Sequence, residues 1–451
     1  YKRQVNEMWG FCPSASAAWR ISEEKFMEGT RSWLDNLKLR FSVGTLGNGN
    51  VDPYKFLPTM SIDKTGVIVG DGQVNYTSYP GLIPNNLTWE KVTTYDVGVD
   101  VDMFKNRLTI GFDWYRRNTT DMYTVGPTLP EVLGTTQPKG NYADLKTKGW
   151  ELTLSWRDNF KLAGSDFHYG VKFMLWDSQS WITKYNNATG KLSDYYEGYR
   201  IGDIWGYNIE GLFTSYDEIA NHADQDYIKV SDSKIWQPGD LKFADLNGDG
   251  KIDKGAQTLS DHGDLVIVGN EEERYHYGFN LNVGWKGIGI SAFFQGVGKR
   301  DWYPGQETGF FWGKYNRPYG YSLKMHENRW TEENPNPNAY WPRLVGYSSE
   351  NGGRPMGTPN NRYMQDASYL RLKALTVDYS LPQAWVSKLG LTGLKIYFTG
   401  ENLFTFSNVC ENFDPEVIKG GDVDLKDRKG EEQGYSYPML KTYTVGLNVS
   451  F

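Results

Sequence analysis

Thr442-Tyr443-Thr444-Val445-Gly446-Leu447-Asn448-Val449-Ser450-Phe451 carries an unbroken period-two pattern to the last residue. Tyr443, Val445, Leu447, Val449 and Phe451 fall on one face, and Thr444, Gly446, Asn448 and Ser450 on the other. Such alternation marks a β-strand whose two faces meet different surroundings. The same pattern recurs upstream. In Arg107-Leu108-Thr109-Ile110-Gly111-Phe112-Asp113-Trp114 the even positions are apolar. Trp150, Leu152, Leu154 and Trp156 alternate with Glu151, Thr153, Ser155 and Arg157, and Tyr277, Phe279, Leu281 and Val283 with Gly278, Asn280, Asn282 and Gly284.

Read this way, the chain holds eleven strands, near 9–20, 37–44, 94–103, 108–117, 147–157, 167–176, 275–285, 288–296, 368–380, 393–402 and 441–451. Their connections are unequal. Phe104-Lys105-Asn106-Arg107 and Lys286-Gly287 are tight links, whereas 45–93, 177–274, 297–367 and 403–440 far exceed ordinary hairpin loops. Transmembrane barrels show this asymmetry, with short periplasmic turns on one rim and long extracellular loops on the other. The fold expected is therefore all-β, a transmembrane antiparallel β-barrel, against the alternative of a soluble sandwich or propeller. An odd strand count that ends on a descending strand starts outside, and an open sheet edge cannot persist in lipid. Eleven is half the 22 strands of the plugged outer-membrane transporters, so the sequence reads as about half a barrel.

Composition agrees. Aromatic residues make up 15% of the 451, with 31 Tyr and 17 Trp beside 50 Gly, which suits strands, tight turns and interfacial girdles. No stretch approaches the roughly 18 apolar residues of a membrane helix, and alternating barrel strands never form such a run. A net charge of −7 offers no basic stripe, which sets nucleic acid aside as a partner. Cys12 and Cys410 lie far apart without CxxC spacing and read as ordinary cysteines.

Particular residues carry a family likeness. Pro13-Ser14-Ala15-Ser16-Ala17-Ala18-Trp19-Arg20-Ile21 followed by Leu37-Lys38-Leu39-Arg40 resembles a signature strand pair of SusC-like (SusC/RagA-type) TonB-dependent transporters. Leu87-Thr88-Trp89-Glu90 before Asp96-Val97-Gly98-Val99-Asp100 does likewise. So do Asn106-Arg107-Leu108 through Asp113-Trp114-Tyr115, and Lys148-Gly149-Trp150-Glu151. Ser368-Tyr369-Leu370-Arg371-Leu372-Lys373, Gly400-Glu401-Asn402-Leu403-Phe404 and Asp414-Pro415-Glu416 are similar to that family's C-terminal region. The resemblance implies that 1–451 is the C-terminal part of a 22-stranded barrel in a Gram-negative outer membrane, its lumen closed by an N-terminal plug not identifiable in this sequence. It also implies import of oligosaccharides or peptides, driven by TonB through the plug, with a SusD-like lipoprotein as lid.

Three local features are candidate sites. Asp245-Leu246-Asn247-Gly248-Asp249-Gly250-Lys251-Ile252-Asp253 matches the opening of an EF-hand loop, with oxygen donors at alternate positions and Gly at the sixth. Lys251 would offer its carbonyl to Ca²⁺. Ala256 stands where a bidentate Glu normally closes the shell, so Asp261 or Asp264 is expected to substitute. The plain reading is an Asx-rich turn holding only water. In 297–367, Trp302, Tyr303, Phe310, Phe311, Trp312, Tyr315, Tyr319 and Trp330 could stack on sugar rings, with Arg300, Asp301 and Asn316 beside them; Trp302, Tyr303, Phe311, Trp312 and Tyr315 are the candidate substrate contacts. The reading favoured for any single ring is that it packs the loop against itself, the barrel rim or a lid protein. Phe451, a terminal aromatic on an alternating last strand, resembles the signal read by the outer-membrane assembly machinery.

Catalysis finds no motif. His168, His222, His262, His276 and His326 show no HExxH or zinc spacing, and neither a GxSxG elbow nor a phosphate-binding GxxxxGKS occurs. The alternatives to a transporter are a secreted all-β carbohydrate-active enzyme, whose carboxylate pair could hide among 55 acidic residues, and a porin or adhesin barrel.

Overall fold

The computed structural model describes residues 9–49, 57–83, 87–126, 129–133, 137–228, 236–305, 308–315, 320–344, 356–418 and 437–451. In chain order, β1 (Ser14–Arg20) and β2 (Leu34–Asn48) are followed by a hairpin of β3 (Ile62–Val69) and β4 (Gly72–Thr77). Next come β5 (Glu90–Met103), β6 (Leu108–Val125), β7 (Lys139–Leu162) and β8 (Ser165–Lys184). Four short strands lie in the long segment after β8: β9 (Asp203–Gly206), β10 (Ile209–Leu212), β11 (Leu241–Phe243) and β12 (Val266–Asn270). Then follow β13 (Arg274–Trp285), β14 (Ile288–Lys299), the short pair β15 (Asp301–Trp302) and β16 (Gln365–Asp366), β17 (Tyr369–Ser380), β18 (Gly393–Ser407) and β19 (Thr442–Ser450).

Eleven of these strands form one sheet in the order β1-β2-β5-β6-β7-β8-β13-β14-β17-β18-β19, each beside its predecessor in the chain. They are the eleven strands expected from the alternation. Several run further than expected, above all β7 with 24 residues and β8 with 20. Crossing a bilayer takes only about 9–11 tilted residues, so both strands are longer than a crossing requires. No described helix is long and apolar enough to cross a membrane.

Connections alternate between short and long along this order. Ala163-Gly164 and Lys286-Gly287 are two-residue turns with positive φ at both positions, the backbone that matches strand twist. The opposite connections, 49–89, 126–138, 185–273, 300–368 and 408–441, are longer. They contain the β3–β4 hairpin, the pairs β9–β12, β10–β11 and β15–β16, and several short helical turns.

The described chain divides into two compact units. One comprises Tyr1–Asp102, Gly111–Glu151 and Ser178–Ile201, the other Met103–Ile110, Leu152–Asp177 and Gly202–Phe451. In the second, register places like residues side by side. Phe167, Trp285, Ile288, Tyr379, Ile396 and Leu447 form one cross-strand row, and Tyr169, Val283, Ile290, Val377, Phe398 and Val445 the next. On the other face, Gly170, Asn282, Ser291, Thr376, Thr399 and Thr444 form a polar row. The apolar face is uncovered: Val445 is 76% exposed and Leu447 60%. A water-soluble sheet would bury such rows, so this face is built for hydrocarbon. Glycine has a spatial role on the polar face. A Cβ on Gly446 would lie 2.1 Å from the Tyr397 ring, so that ring needs a bare neighbour.

The first unit repeats the division. Trp19, Phe41 and Val43 of β1–β2, Tyr95 and Val97 of β5, and Phe112 and Trp114 of β6 are exposed apolar side chains. Arg40 on the opposite face bonds Asp100 of β5 and Asp113 of β6.

If the apolar rows face lipid, Ile290→Arg should destabilise the folded barrel in membranes by about 2–4 kcal/mol, while Ser291→Arg on the polar row costs far less. Urea unfolding in lipid vesicles, followed by heat-modifiable gel mobility, measures both. Equal losses would contradict the face assignment.

Candidate functional site

Two parts of the structure gather polar and aromatic chemistry, the polar face of the sheet and the bodies folded from the long connections. On the polar face of the first unit, Arg40 donates from Nε and Nη2 to Asp100 at 2.8 and 3.0 Å, and from Nη2 to Asp113 at 3.0 Å. Asn36 continues the ladder, donating to Asp102 at 3.1 Å and accepting from Arg20 at 3.1 Å. Four strands, β1, β2, β5 and β6, are thereby tied by charged and amide groups, as on an inner barrel wall that faces water. Arg20, Arg40, Asp100 and Asp113 belong to the family-like motifs, and the alternate positions of Asp96, Asp100 and Asp102 along β5 carry the sequence signal of a polar face.

In the second unit the segment 300–368 packs around Trp341. Its ring stacks with Tyr363 (centroids 5.3 Å apart) and Tyr315 (5.1 Å), and lies against Phe311 (5.3 Å) and His326 (4.8 Å). Polar tips find backbone partners: Trp341 Nε1–H donates to Met325 O at 2.9 Å and Tyr315 O–H to Pro342 O at 2.7 Å. His326 accepts from Leu323 N–H at Nδ1, and its Nε2 bonds Phe311 O at 2.8 Å, which fixes the neutral Nε2–H tautomer. Burial lowers its pKa in the same sense.

This packing corrects the aromatic reading of the loop. Trp302, Phe311, Trp312 and Tyr315 are all buried, and Tyr303 is half-buried with its hydroxyl donating to Met356 O at 2.6 Å. Rings whose faces are covered by Trp341, Tyr363 and Phe413 have none left for a sugar. The five residues form a loop core, the alternative that the sequence also allowed. Phe310 stays exposed, and Tyr319 and Asn316 lie outside the described residues.

Ion pairs fasten connection to sheet, connection to connection and strand to strand. Buried Arg371 of β17 donates to Asp414 at 2.6 Å, to Glu416 at 2.5 Å and to Thr405 of β18 at 2.8 Å, and Lys373 also reaches Glu416. The motifs Arg371-Leu372-Lys373 and Asp414-Pro415-Glu416, separate in sequence, are thus one clamp. Arg343 holds Asp240 with two bonds, at 2.6 and 3.0 Å, and Arg274 holds Asp177.

The acidic loop is curled by its own backbone. Asp245 accepts from Gly248 N–H at 2.7 Å and Gly250 N–H at 2.9 Å, Asn247 from Asp249 N–H, and Asp249 from Lys251 N–H. Gly250, the sixth position, has φ +82°, and Ile252, the eighth, is fully buried. Asp264 is also fully buried and braces the amides of Leu246 and Asp253, while Asp261 accepts from Ala256 N–H. Among the described residues, no three His, Cys, Asp or Glu side chains converge as a metal set. The side-chain oxygens of Asp245, Asn247 and Asp249 already accept hydrogen bonds within the loop, so a cation there would share them. Phe451 follows β19 and is 90% exposed; Cys12 and Cys410 are free thiols.

Comparison with known proteins gives this architecture a family. TonB-dependent receptor P3 of Formosa agariphila is 28% identical over 99% of this chain, and the match covers 42% of the relative. TonB-dependent receptor SusC of Bacteroides thetaiotaomicron is 26% identical over 98% of the chain and 40% of the relative. The chain thus spans about two fifths of the length of the curated relatives it matches. Among solved structures, the RagAB peptide importer in its closed-closed state superposes with a TM-score of 0.73 at 21% identity, over all of this chain and 44% of that one. The family described as "TonB dependent receptor-like, beta-barrel" matches residues 1–247. It is an outer-membrane family of Gram-negative bacteria whose members are receptors and transporters, not enzymes. A sheet with one face for lipid and one for water, with its longest connections all on one side, therefore has its place: the chain belongs to the TonB-dependent receptor-like β-barrel family.

Proposed function

We propose that this chain supplies barrel wall and extracellular loops to a SusC-like importer that moves an oligosaccharide or a peptide across the outer membrane. The observation that carries the reading is the two-faced sheet, exposed and apolar on one side and polar on the other, joined to loop bodies held by buried clamps such as Arg371–Asp414. A soluble glycosidase has no use for exposed rows of Ile, Val, Phe and Tyr. The sheet has two edges, β1 and β19, and strand edges in lipid must be hydrogen-bonded by further strands. In the proposed assembly those strands come from the rest of a closed barrel. Uptake is driven by TonB through a plug, and a SusD-like lipoprotein covers the loops. Since the loop aromatics are core, solute contacts are assigned to the polar face and to exposed loop side chains.

Deleting the gene should abolish growth of the host on one class of oligosaccharide or peptide, and collapsing the proton gradient should stop uptake in the intact strain. Uptake that survives a discharged gradient would reject an energised importer in favour of a porin.

Ca²⁺ is proposed at Asp245, Asn247, Asp249 and the Lys251 carbonyl, with Asp253, Asp261 and Asp264 shaping the loop around them. The curl of the loop and the buried Ile252 support this assignment. A bound hard cation would stiffen the 185–273 connection without taking part in chemistry. At a hundredfold excess over Kd, calcium should stabilise the fold by about 2.7 kcal/mol, and chelation should speed proteolysis within 185–273. Asp249→Ala should remove both effects. Wild-type protein indifferent to calcium and chelator would contradict the assignment.

A further inference from the structure

Above the aromatic belt of the first unit, three cations face outward. Trp114 of β6 and Trp150 of β7 belong to the apolar face, since Phe112 and Trp114 are exposed and Tyr115 turns to the other side, packed over Gly149. Side chains alternate along a strand, so Arg116 and Lys148 are the next outward residues after these two tryptophans, and Lys146 follows. Each step leads away from the short turns Phe104–Arg107 and Ala163-Gly164, toward the rim with long connections. Two residues along a tilted strand rise about 5 Å, the level of lipid headgroups above a tryptophan belt.

Arg116 and Lys148 are also neighbours across the sheet. The bond from Arg157 N–H to Arg107 O and the contact of Tyr115 with Gly149 set one register, which puts Arg116 opposite Lys148 and Asn118 opposite Lys146. Like charges directly opposite on one face destabilise a strand pair unless an anion lies between them. Among the described residues no carboxylate pairs with any of the three. Arg116 donates to Asn118 at 3.1 Å, and the Lys146 ammonium lies 5.9 Å from the centroid of Trp181. Nearby Asp144 is engaged by the Asp121 amide at 2.9 Å.

Lys146, Lys148 and Trp181 line a cavity of about 260 Å³ with Ile182, Thr183, Glu197 and Gly198. The order of chemistry along the face is specific. Apolar and aromatic side chains that suit acyl tails come first, then a cluster of cations that suits phosphate, then an aromatic ring with a hydroxyl and a carboxylate that suits a sugar.

We propose that this rim binds the phosphorylated headgroup of an outer-leaflet glycolipid, with its phosphate between Arg116, Lys146 and Lys148 and its sugar against Trp181 and Glu197. The site is separate from any import path, because it lies on the lipid side of the sheet. It rests on the assignment of the apolar face to lipid.

The test is native mass spectrometry of the full-length protein in mild detergent, titrated with monophosphoryl lipid A. The triple variant Arg116→Gln, Lys146→Gln, Lys148→Gln should lose at least about tenfold in occupancy, roughly one power of ten per 1.4 kcal/mol. A control triple at exposed Lys25, Lys324 and Lys388 should bind as wild type does. Lys146→Arg with Lys148→Arg should also bind, which separates loss of charge from loss of fold. Dephosphorylated lipid A should bind at least tenfold less. Inorganic phosphate or glucosamine phosphate that displaces the lipid at equal concentration would assign the cavity to a soluble phosphate and overturn the lipid assignment. Undiminished lipid binding by the triple variant would overturn the site. Loss of import with lipid binding intact would strike the transport reading and leave this one standing.

Discussion

Every backbone N–H and C=O that lies in hydrocarbon must find its partner within the protein, and for a chain without long apolar helices the solution is an antiparallel sheet. That constraint explains why the eleven long strands are ordered as they occur in the chain. Consecutive hairpins satisfy backbone groups locally, with the least chain spent on crossing connections. It also explains the composition of the two faces. Once the backbone is satisfied, side chains need only match lipid on one side and water on the other. Register enforces this, since a slip of one residue would carry Ile396 and Phe398 to the wet face.

The connections obey a different rule. Freed from the bilayer, they are stabilised as small soluble domains are, by buried aromatic rings and by charges that are paired where they are buried. Trp341 with Tyr315 and Tyr363 is such a core, and Arg371 with Asp414 and Glu416 such a clamp. Breaking a buried pair by removing one partner commonly costs 3–5 kcal/mol. These loops therefore have defined shapes of their own, set by those cores and clamps.

The strands were legible in the sequence because alternation is local: five or six residues such as Tyr443 to Leu447 suffice to declare a face. The loop bodies were not. Nothing periodic joins Phe311 to Trp341 and Tyr363, and an abundance of aromatics reads the same whether rings are exposed or buried. Sugar-stacking by Trp302, Phe311, Trp312 and Tyr315 and packing within the loop are therefore both open to the sequence, and the fold buries these rings. The β3–β4 hairpin falls inside the expected long loop 45–93, although Val67-Ile68-Val69-Gly70-Asp71-Gly72 carries both strand and turn signals. The curl of Asp245–Asp253 was readable, because its turn is made by neighbouring residues, whereas the bracing of Leu246 and Asp253 by the distant Asp264 was not.

The assignment of the two faces to lipid and to water is the central claim, and quenching of single labels tests it most directly. Spin labels placed one at a time from Tyr443 to Asn448, in a background with Cys12 and Cys410 replaced by serine, should alternate with period two in the full-length barrel in vesicles. Labels at 443, 445 and 447 should be relaxed by dissolved oxygen, and those at 444, 446 and 448 by a water-soluble nickel chelate. Alternation in antiphase is the predicted result. Uniform access of the nickel chelate to all six positions would mean that β19 lies in water on both faces, and the membrane-barrel account would fail.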